Sequence, residues 1–411
     1  MATLRYDTQQ RFTCAGCARC CHSEVAIPPA EHAAYGRARV ARWFRASDSG
    51  PEGGETDPFL PLPGRDGWFR IRRREDGTCG FLSPQNRCRL HEELGGERKP
   101  LVCRMFPFAV HATEREPVMT ASFTCPTVVA NQGQPVPEQA GALAALRGDW
   151  SRAFGLPARR FELVAGRPMS GRAVDALREG LQRLLVVPGG APVLASNLRR
   201  IAAWLEDVSR PRVTRLPPDD LAEYLVVTGR YAAESDRVPA ARRPSWSSRL
   251  TARGLLFVSG AVEAQRRRPH ASGLRVGLRI RMLGLLLHAH GLGPAVAELD
   301  AGARGRATLD AAEAAPLIQH YLRAAFTTLG TGRRPILTEA ARAAAIADLA
   351  LALGAMHAVR TGATVVGAAS LREGLVRASE LDHVEGALAA MVDSFTGGAD
   401  AFLRLAQSLD R

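Results

Sequence analysis

Cys14-Ala15-Gly16-Cys17-Ala18-Arg19-Cys20-Cys21 packs four thiols into eight residues. The Cys-x2-Cys-x2-Cys spacing lets a tight, glycine-relieved loop turn successive sulfurs toward one point, as a tetrahedral zinc or an iron–sulfur cube requires. The other cysteines are Cys79, Cys88, Cys103 and Cys125, so all eight fall within the first 125 of 411 residues. As packing groups these crowded thiols would gain little, and as thiolates they would repel one another. Metal is the reading that accounts for them. Met1 to Phe12 is polar and lacks the apolar run of a secretory leader. The expectation is a cytoplasmic, reducing compartment in which disulfides do not persist.

Eight thiols would supply two zinc sites of four thiolates, or two four-thiolate iron–sulfur clusters. Neighbouring side chains diverge, so Cys20 and Cys21 point to two sites sharing the loop, or to one cluster and a spare thiol. Cys14, Cys17 and Cys20 with the remote Cys125-Pro126 match the ferredoxin pattern of three close ligands and a distant Cys-Pro, which tilts the balance toward iron–sulfur. Arg19, Arg87, Arg89, Lys99 and Arg104 lie near these ligands in sequence, where cations would offset thiolate charge. His22 and His91 read as outer donors or surface residues, since thiols are plentiful. His288-Ala289-His290 ends a helical segment, where i and i+2 face apart, and is taken as structural. Thiol redox catalysis at Cys20-Cys21 or Cys14–Cys17 would need a free thiol of low pKa, which candidate ligands do not offer.

Outward from the thiol loop, the pattern predicts an α+β chain. A small irregular cysteine-rich domain with two β-hairpins (1–135) precedes a mostly α-helical region (136–411), with a sub-boundary near 210–218 or 238–247. Prolines at Pro28-Pro29 open a short amphipathic helix, and Ser47 to Pro63 is Gly-, Pro- and acid-rich, an expected mobile loop. Trp68 to Arg72 alternates, turns at Glu75-Asp76-Gly77 and returns through Cys79 to Leu82, an expected hairpin. Cys88 to Glu93 begins a helical turn that Gly95-Gly96 ends. Phe106–Val110 and Val118–Phe123 form the second expected hairpin, carrying the chain to Cys125. Helical spacing of Leu, Ala and Val then appears near 138–154, 170–187, 192–208, 218–235, 273–290, 309–329, 337–361 and 368–406. The stretches 210–218 and 238–245 read as linkers, and no fixed-period repeat is present.

The net charge of +13 comes from one lysine, Lys99, and 53 arginines in a chain also rich in Ala, Gly and Pro. A GC-rich coding sequence produces that mixture without selection for a basic patch, so a nucleic-acid partner is not inferred. Arg72-Arg73-Arg74 and Arg266-Arg267-Arg268 are the only local runs and read as solvated faces. No run of 18 apolar residues occurs, and even Ile346-Ala347-Asp348-Leu349 is broken by a carboxylate, so no membrane span is expected.

Cys14-x2-Cys17-x2-Cys20-Cys21, Cys79-Gly80-Phe81-Leu82, Cys88-Arg89-Leu90-His91 and Lys99-Pro100-x2-Cys103-Arg104-x-Phe106-Pro107 together resemble the YkgJ-type cysteine-cluster family over about residues 11–130. That resemblance implies a zinc- or iron-chelating domain with eight cysteines. The family is similar in turn to flagellin lysine N-methylase, which joins such a cluster to a helical region and methylates protein lysines with S-adenosylmethionine. Ile318-Gln319-His320-Tyr321-Leu322-Arg323 and Leu381-Asp382-His383-Val384-Glu385 resemble segments of its helical part. Two departures, His91 where the family often has an aromatic and the extra Ser47–Pro63 loop, remove no ligand. There is no G-x-G-x-G loop for a nucleotide-like cofactor. Nor is there a radical S-adenosylmethionine C-x3-C-x2-C motif, because Glu24 stands where its third cysteine would be. Two functions follow: a metal-cluster protein lysine N-methylase acting on a protein substrate, or a non-enzymatic metal-binding or electron-transfer module whose helices dock a partner. The sequence names no catalytic residue and leaves the oligomeric state open.

Overall fold

Short elements at the N-terminal end give way to long helices after residue 139, and the computed structural model explains the change through what each part buries. It describes residues 4–36, 40–45, 57–155, 160–185, 190–235, 238–239, 307–331, 334–383 and 398–409. The expected helix at 273–290, His288-Ala289-His290, the 266–268 arginine run and most of the 238–245 linker lie outside them.

In the N-terminal part, β1 (Arg11–Phe12) pairs antiparallel with β7 (Gln134–Pro135). A three-stranded antiparallel sheet runs in the order β2 (Ala26–Ile27), β4 (Phe69–Ile71), β3 (Phe59–Pro61). Helix α1 (Pro29–Tyr35) starts on its predicted proline. The first expected hairpin is only partly formed. The chain does turn at Glu75–Gly77, with the Arg74 amide donating to the Thr78 carbonyl at 2.8 Å, but the return makes a single bridge, Arg73 with Cys79. Strand β4 takes β2 and β3 as partners because Ile71 shares a buried cluster with Ile27, Phe59 and Phe81. Part of the expected loop at 47–63 is therefore strand: Phe59 is buried in that cluster. Pro61 is tolerated at the end of an edge strand, where it owes the ladder no donor. Residues 47–56 fall outside the described residues.

The second expected hairpin is present as β5 (Phe108–His111) and β6 (Val118–Ala121), in register Phe108↔Ala121 to His111↔Val118. Between the sheets lie α2 (Arg89–Leu94), ended at Gly95 as its φ of +83° allows, and α3 (Leu101–Met105). After β6 comes α4 (Pro126–Val129).

The helical part comprises α5 (Ala140–Phe154), α6 (Gly171–Leu185), α7 (Ala191–Val208), α8 (Pro211–Thr214), α9 (Pro218–Glu234), α10 (Ala311–Thr327), α11 (Ile336–Arg360), α12 (Ala368–Ala378) and α13 (Asp400–Leu409). The proline-rich 210–218 stretch thus includes a helical turn. Asp310 caps α10, its carboxylate accepting from the amides of Ala312 and Glu313 at 3.1 Å. Helix α11 is the central rod, buried along most of its length by α10, α12 and α13. Its alanines keep it thin, and Gly374 of α12 lets that helix approach so closely that a Cβ there would overlap the Ala350 carbonyl oxygen. Asp348, the carboxylate interrupting the apolar run, is 5% exposed and pairs with Arg404 of α13 at 3.5 Å. The helical core also takes in Phe123, Cys125, Val128 and Val129, so α4 packs on α12. Among the described residues no helix is long and apolar enough to cross a membrane.

Candidate metal centre

The thiol loop starts where β1 is pinned: the Arg11 amide donates to Asn131 Oδ1 at 2.7 Å, and the Phe12 ring meets Phe108 edge-on at 5.4 Å. Gly16 at φ +67° and Ala18 at φ +58° occupy the left-handed region. They turn the backbone between Cys14, Cys17 and Cys20, and glycine removes the strain at the first of these positions. Cys20 and Cys21 lie in the single 3-10 turn Arg19–His22, closed by the Cys21 amide on the Ala18 carbonyl at 2.9 Å.

The remote cysteines are brought to this turn by backbone hydrogen bonds. The Cys79 amide donates to the Cys21 carbonyl at 2.8 Å, and the Leu82–Cys88 bridge sets Cys88 beside it. Cys88 and Cys125 each occupy the residue before a short helix, and Cys103 lies within α3. All eight are free thiols. Cys14 and Cys17 are exposed, Cys125 is buried, and the others are half-buried.

Electrostatics sorts them into two groups. Cys21 is raised by Cys20, Cys79 and Cys88, and Cys103 is raised by Cys79, Cys88 and Cys20, so these five share one neighbourhood. Cys125 feels Cys17 instead. A cavity of about 560 Å3 opens beside the second group, lined by Cys14, Cys17, Cys20, Cys103 and Cys125 together with Arg19, Lys99 and Arg104. Cys20 and Cys103 form the seam between the groups.

Four of the thiols, Cys21, Cys79, Cys103 and Cys125, are held against ionising by themselves, whereas Cys20 is lowered to about 6. Burial pushes Cys79 up to about 12 and Cys103 well above the usual thiol range. The Cys21 thiol donates to the Cys20 sulfur, which lowers Cys20, with Lys99 helping, and raises Cys21. Burial raises Cys125, while the amides of Val128 and Thr127 oppose it. Buried neutral thiols crowded together lose their protons to a bound cation far more readily than to water. No group of three or more His, Cys, Asp or Glu among the described residues is drawn into a ready-made coordination shell. The donor set still fits zinc or iron: soft sulfur ligands on short, independently hinged segments, with cations at hand for the thiolate charge.

His91 lines the cavity, and His22 sits in the 3-10 turn, where its charge acts on Asp76. Sequence reasoning missed Glu373 of α12. It accepts both guanidinium hydrogen bonds of Arg19 at 2.8 Å and ties the thiol loop to the helices. It also missed the role of His320, which is buried behind α4. Arg323 donates to Nδ1 at 2.9 Å, which leaves Nε2 to donate to the Val128 carbonyl at 3.1 Å, and Asp7 closes the set on Arg323 at 3.2 Å. No local pattern marks either residue. The Ile318–Arg323 segment is thus a strut between the two parts.

Residues 13–126, from just before the first cysteine to just past the last, match the CxxCxxCC family model, described as "Putative zinc- or iron-chelating domain". No curated protein matches the chain, and no solved structure does.

Proposed function

We propose that the protein is a metal-binding module in which the eight cysteines hold two centres. Cys14, Cys17, Cys20 and Cys125 hold an iron–sulfur cluster at the surface, and Cys21, Cys79, Cys88 and Cys103 hold a zinc or second iron centre behind it. The observation that carries this reading is the cavity of about 560 Å3 bordered by sulfurs, more room than one tetrahedral zinc needs. A cluster held there would supply one-electron transfer. The exposed Cys14 and Cys17 leave that edge open to a partner protein, which the helical region docks. Lys99 and Arg104 offset thiolate charge, Arg19 braces the loop through Glu373, and Phe12 and Phe106 keep water from the cavity wall. Protein-lysine methylation draws support from neither the family match nor the geometry and forms no part of this reading.

Metal and acid-labile sulfide analysis on protein purified without oxygen tests it. Iron with sulfide and broad visible absorption is expected, with Cys125→Ser losing sulfide while the inner metal remains. Colourless protein with zinc alone would overturn the iron–sulfur assignment, and protein with no metal the whole reading.

A further inference from the structure

The chain carries 54 lysines and arginines, of which Lys99 is the single lysine, and folding places it in the wall of the thiol cavity. Where arginine is written almost everywhere, the exception stands at a position where an ammonium and a guanidinium act differently. Lysine presents a compact point charge with three rotatable donors, whereas arginine presents a planar fork that suits a carboxylate.

The two arginines of the same wall behave as forks. Arg19 gives two hydrogen bonds to the Glu373 carboxylate at 2.8 Å, and Arg104 pairs with Asp149 at 3.7 Å. Carboxylates therefore meet both charges before any centre is bound. Lys99 is half-buried and makes no ion pair among the described residues, not even with the exposed Glu97 at the rim. Of the three cations it alone keeps its charge for the cavity.

Helix α1 fixes the base of this side chain from both sides. The Arg98 carbonyl just before it accepts from the Tyr35 hydroxyl at 3.0 Å, and the Leu101 amide just after it donates to the Glu31 carboxylate at 2.8 Å. Pro100 restricts φ between them, and the Lys99 amide closes the turn Gly96–Arg98 on the Gly96 carbonyl at 3.2 Å. The ammonium acts on Cys20 and on Cys103, favouring the thiolate of each. These are the two thiols of the seam, so one charge serves both groups.

We propose, building on the iron–sulfur reading above, that the Lys99 ammonium sets how readily the centre at this cavity takes up an electron. A docked one-electron donor protein loses the electron and the centre gains it, with one more negative charge. Lys99 stabilises that reduced form more than the oxidised one. No proton moves, and no bond to lysine forms. Arginine at this position would have Glu97 and Asp149 of the same wall as partners for its fork, and its charge would be met there.

Optical redox titration of the loaded full chain without oxygen tests it. Lys99→Met should disfavour reduction about tenfold, the scale of a hydrogen bond to a charged group, or about 59 mV for one electron. Lys99→Arg should recover less than half of that shift, and Arg104→Met should shift the potential less than Lys99→Met. Equal potentials in the native chain and Lys99→Met, or full recovery in Lys99→Arg, would overturn the proposal. Where the variants do not load, the native chain decides. Reductive 13C-methylation labels only its N-terminal amine and Lys99, and the Lys99 signal should be shifted or broadened by the paramagnetic centre. An ordinary, sharp dimethyl-lysine signal in the loaded chain would place the ammonium elsewhere and overturn the proposal while the iron–sulfur reading stands. Colourless native protein would overturn that reading and this proposal with it.

Discussion

Residues 13–126 and residues 140–409 solve the same problem with different means. In the first region described elements run two to seven residues, and the buried side chains form separate small clusters. In the second, helices of up to 25 residues from α6 onward share one large core, while α5 packs on the hairpin through Leu143. A strand of two residues buries too little to hold itself, so the N-terminal region needs crosslinks, and thiolate–metal bonds are the crosslinks its cysteines can make. The helical region needs none, because burial of Leu, Ala and Phe side chains stabilises it directly. One region is marked in the sequence by cysteine spacing, the other by periodicity.

Metal removal should separate them most sharply. A strong chelator is expected to unfold the N-terminal region and spare the helices, since structural metal contributes on the order of 10 kcal/mol or more. Hydrogen exchange followed by mass spectrometry reads this directly. Loss of protection in α11 and α13 along with the hairpins would show that the regions fold as one unit.

The reciprocal experiment is smaller. Phe402 is fully buried between α13 and its neighbours and faces the Phe326 ring at 6.1 Å. Phe402→Ala should cost about 3–5 kcal/mol through lost burial and the cavity left behind. Metal content should be unchanged. A variant that loses metal as well as helical stability would mean that the helical core holds the thiol loop in place.

How much of this is legible in sequence follows the same division. Helix starts at Pro29, Pro218 and Ala311 are written in Pro and Asp caps, and the eight thiols stand out by spacing alone. The pairing of β4 with β2 and β3 is not, because strands of two or three residues carry no alternation long enough to choose a partner. The grouping of the thiols is not either, since it depends on backbone hydrogen bonds such as Cys79 to Cys21. His320 looks like one more polar residue on α10, and only folding shows that it faces α4.

That histidine sits on the seam and gives it a pH dependence. Burial depresses its pKa, and Arg323 adds to the effect. The unfolded chain, with an ordinary histidine near 6.5, therefore takes up a proton first as pH falls. Stability is whole above that value and declines below it toward the lower folded pKa. Urea midpoints of the native chain should drop between about pH 7 and pH 5, and His320→Gln should flatten that stretch of the curve. An equal decline in the variant would move the effect to other groups.

The smallest effect probes the other contact on the seam. Arg19 and Glu373 are joined by two hydrogen bonds at 2.8 Å, with side chains 35% and 26% exposed. Burial alone would raise the Glu373 carboxyl, but the Arg19 guanidinium more than offsets this and holds it below the usual range. Partial exposure limits what such a pair contributes, so a double-mutant cycle with Arg19→Ala and Glu373→Ala should return only about 0.5–1 kcal/mol of coupling. On the proposed two-centre reading the kinetic consequence exceeds the energy, because Arg19 sits between Cys17 and Cys20, in the loop that would open to release metal. Either variant should speed chelator-driven metal loss while leaving the melting of the helices almost unmoved. Additive stabilities with unchanged release rates would show that thiol loop and helices touch at this point without influencing one another.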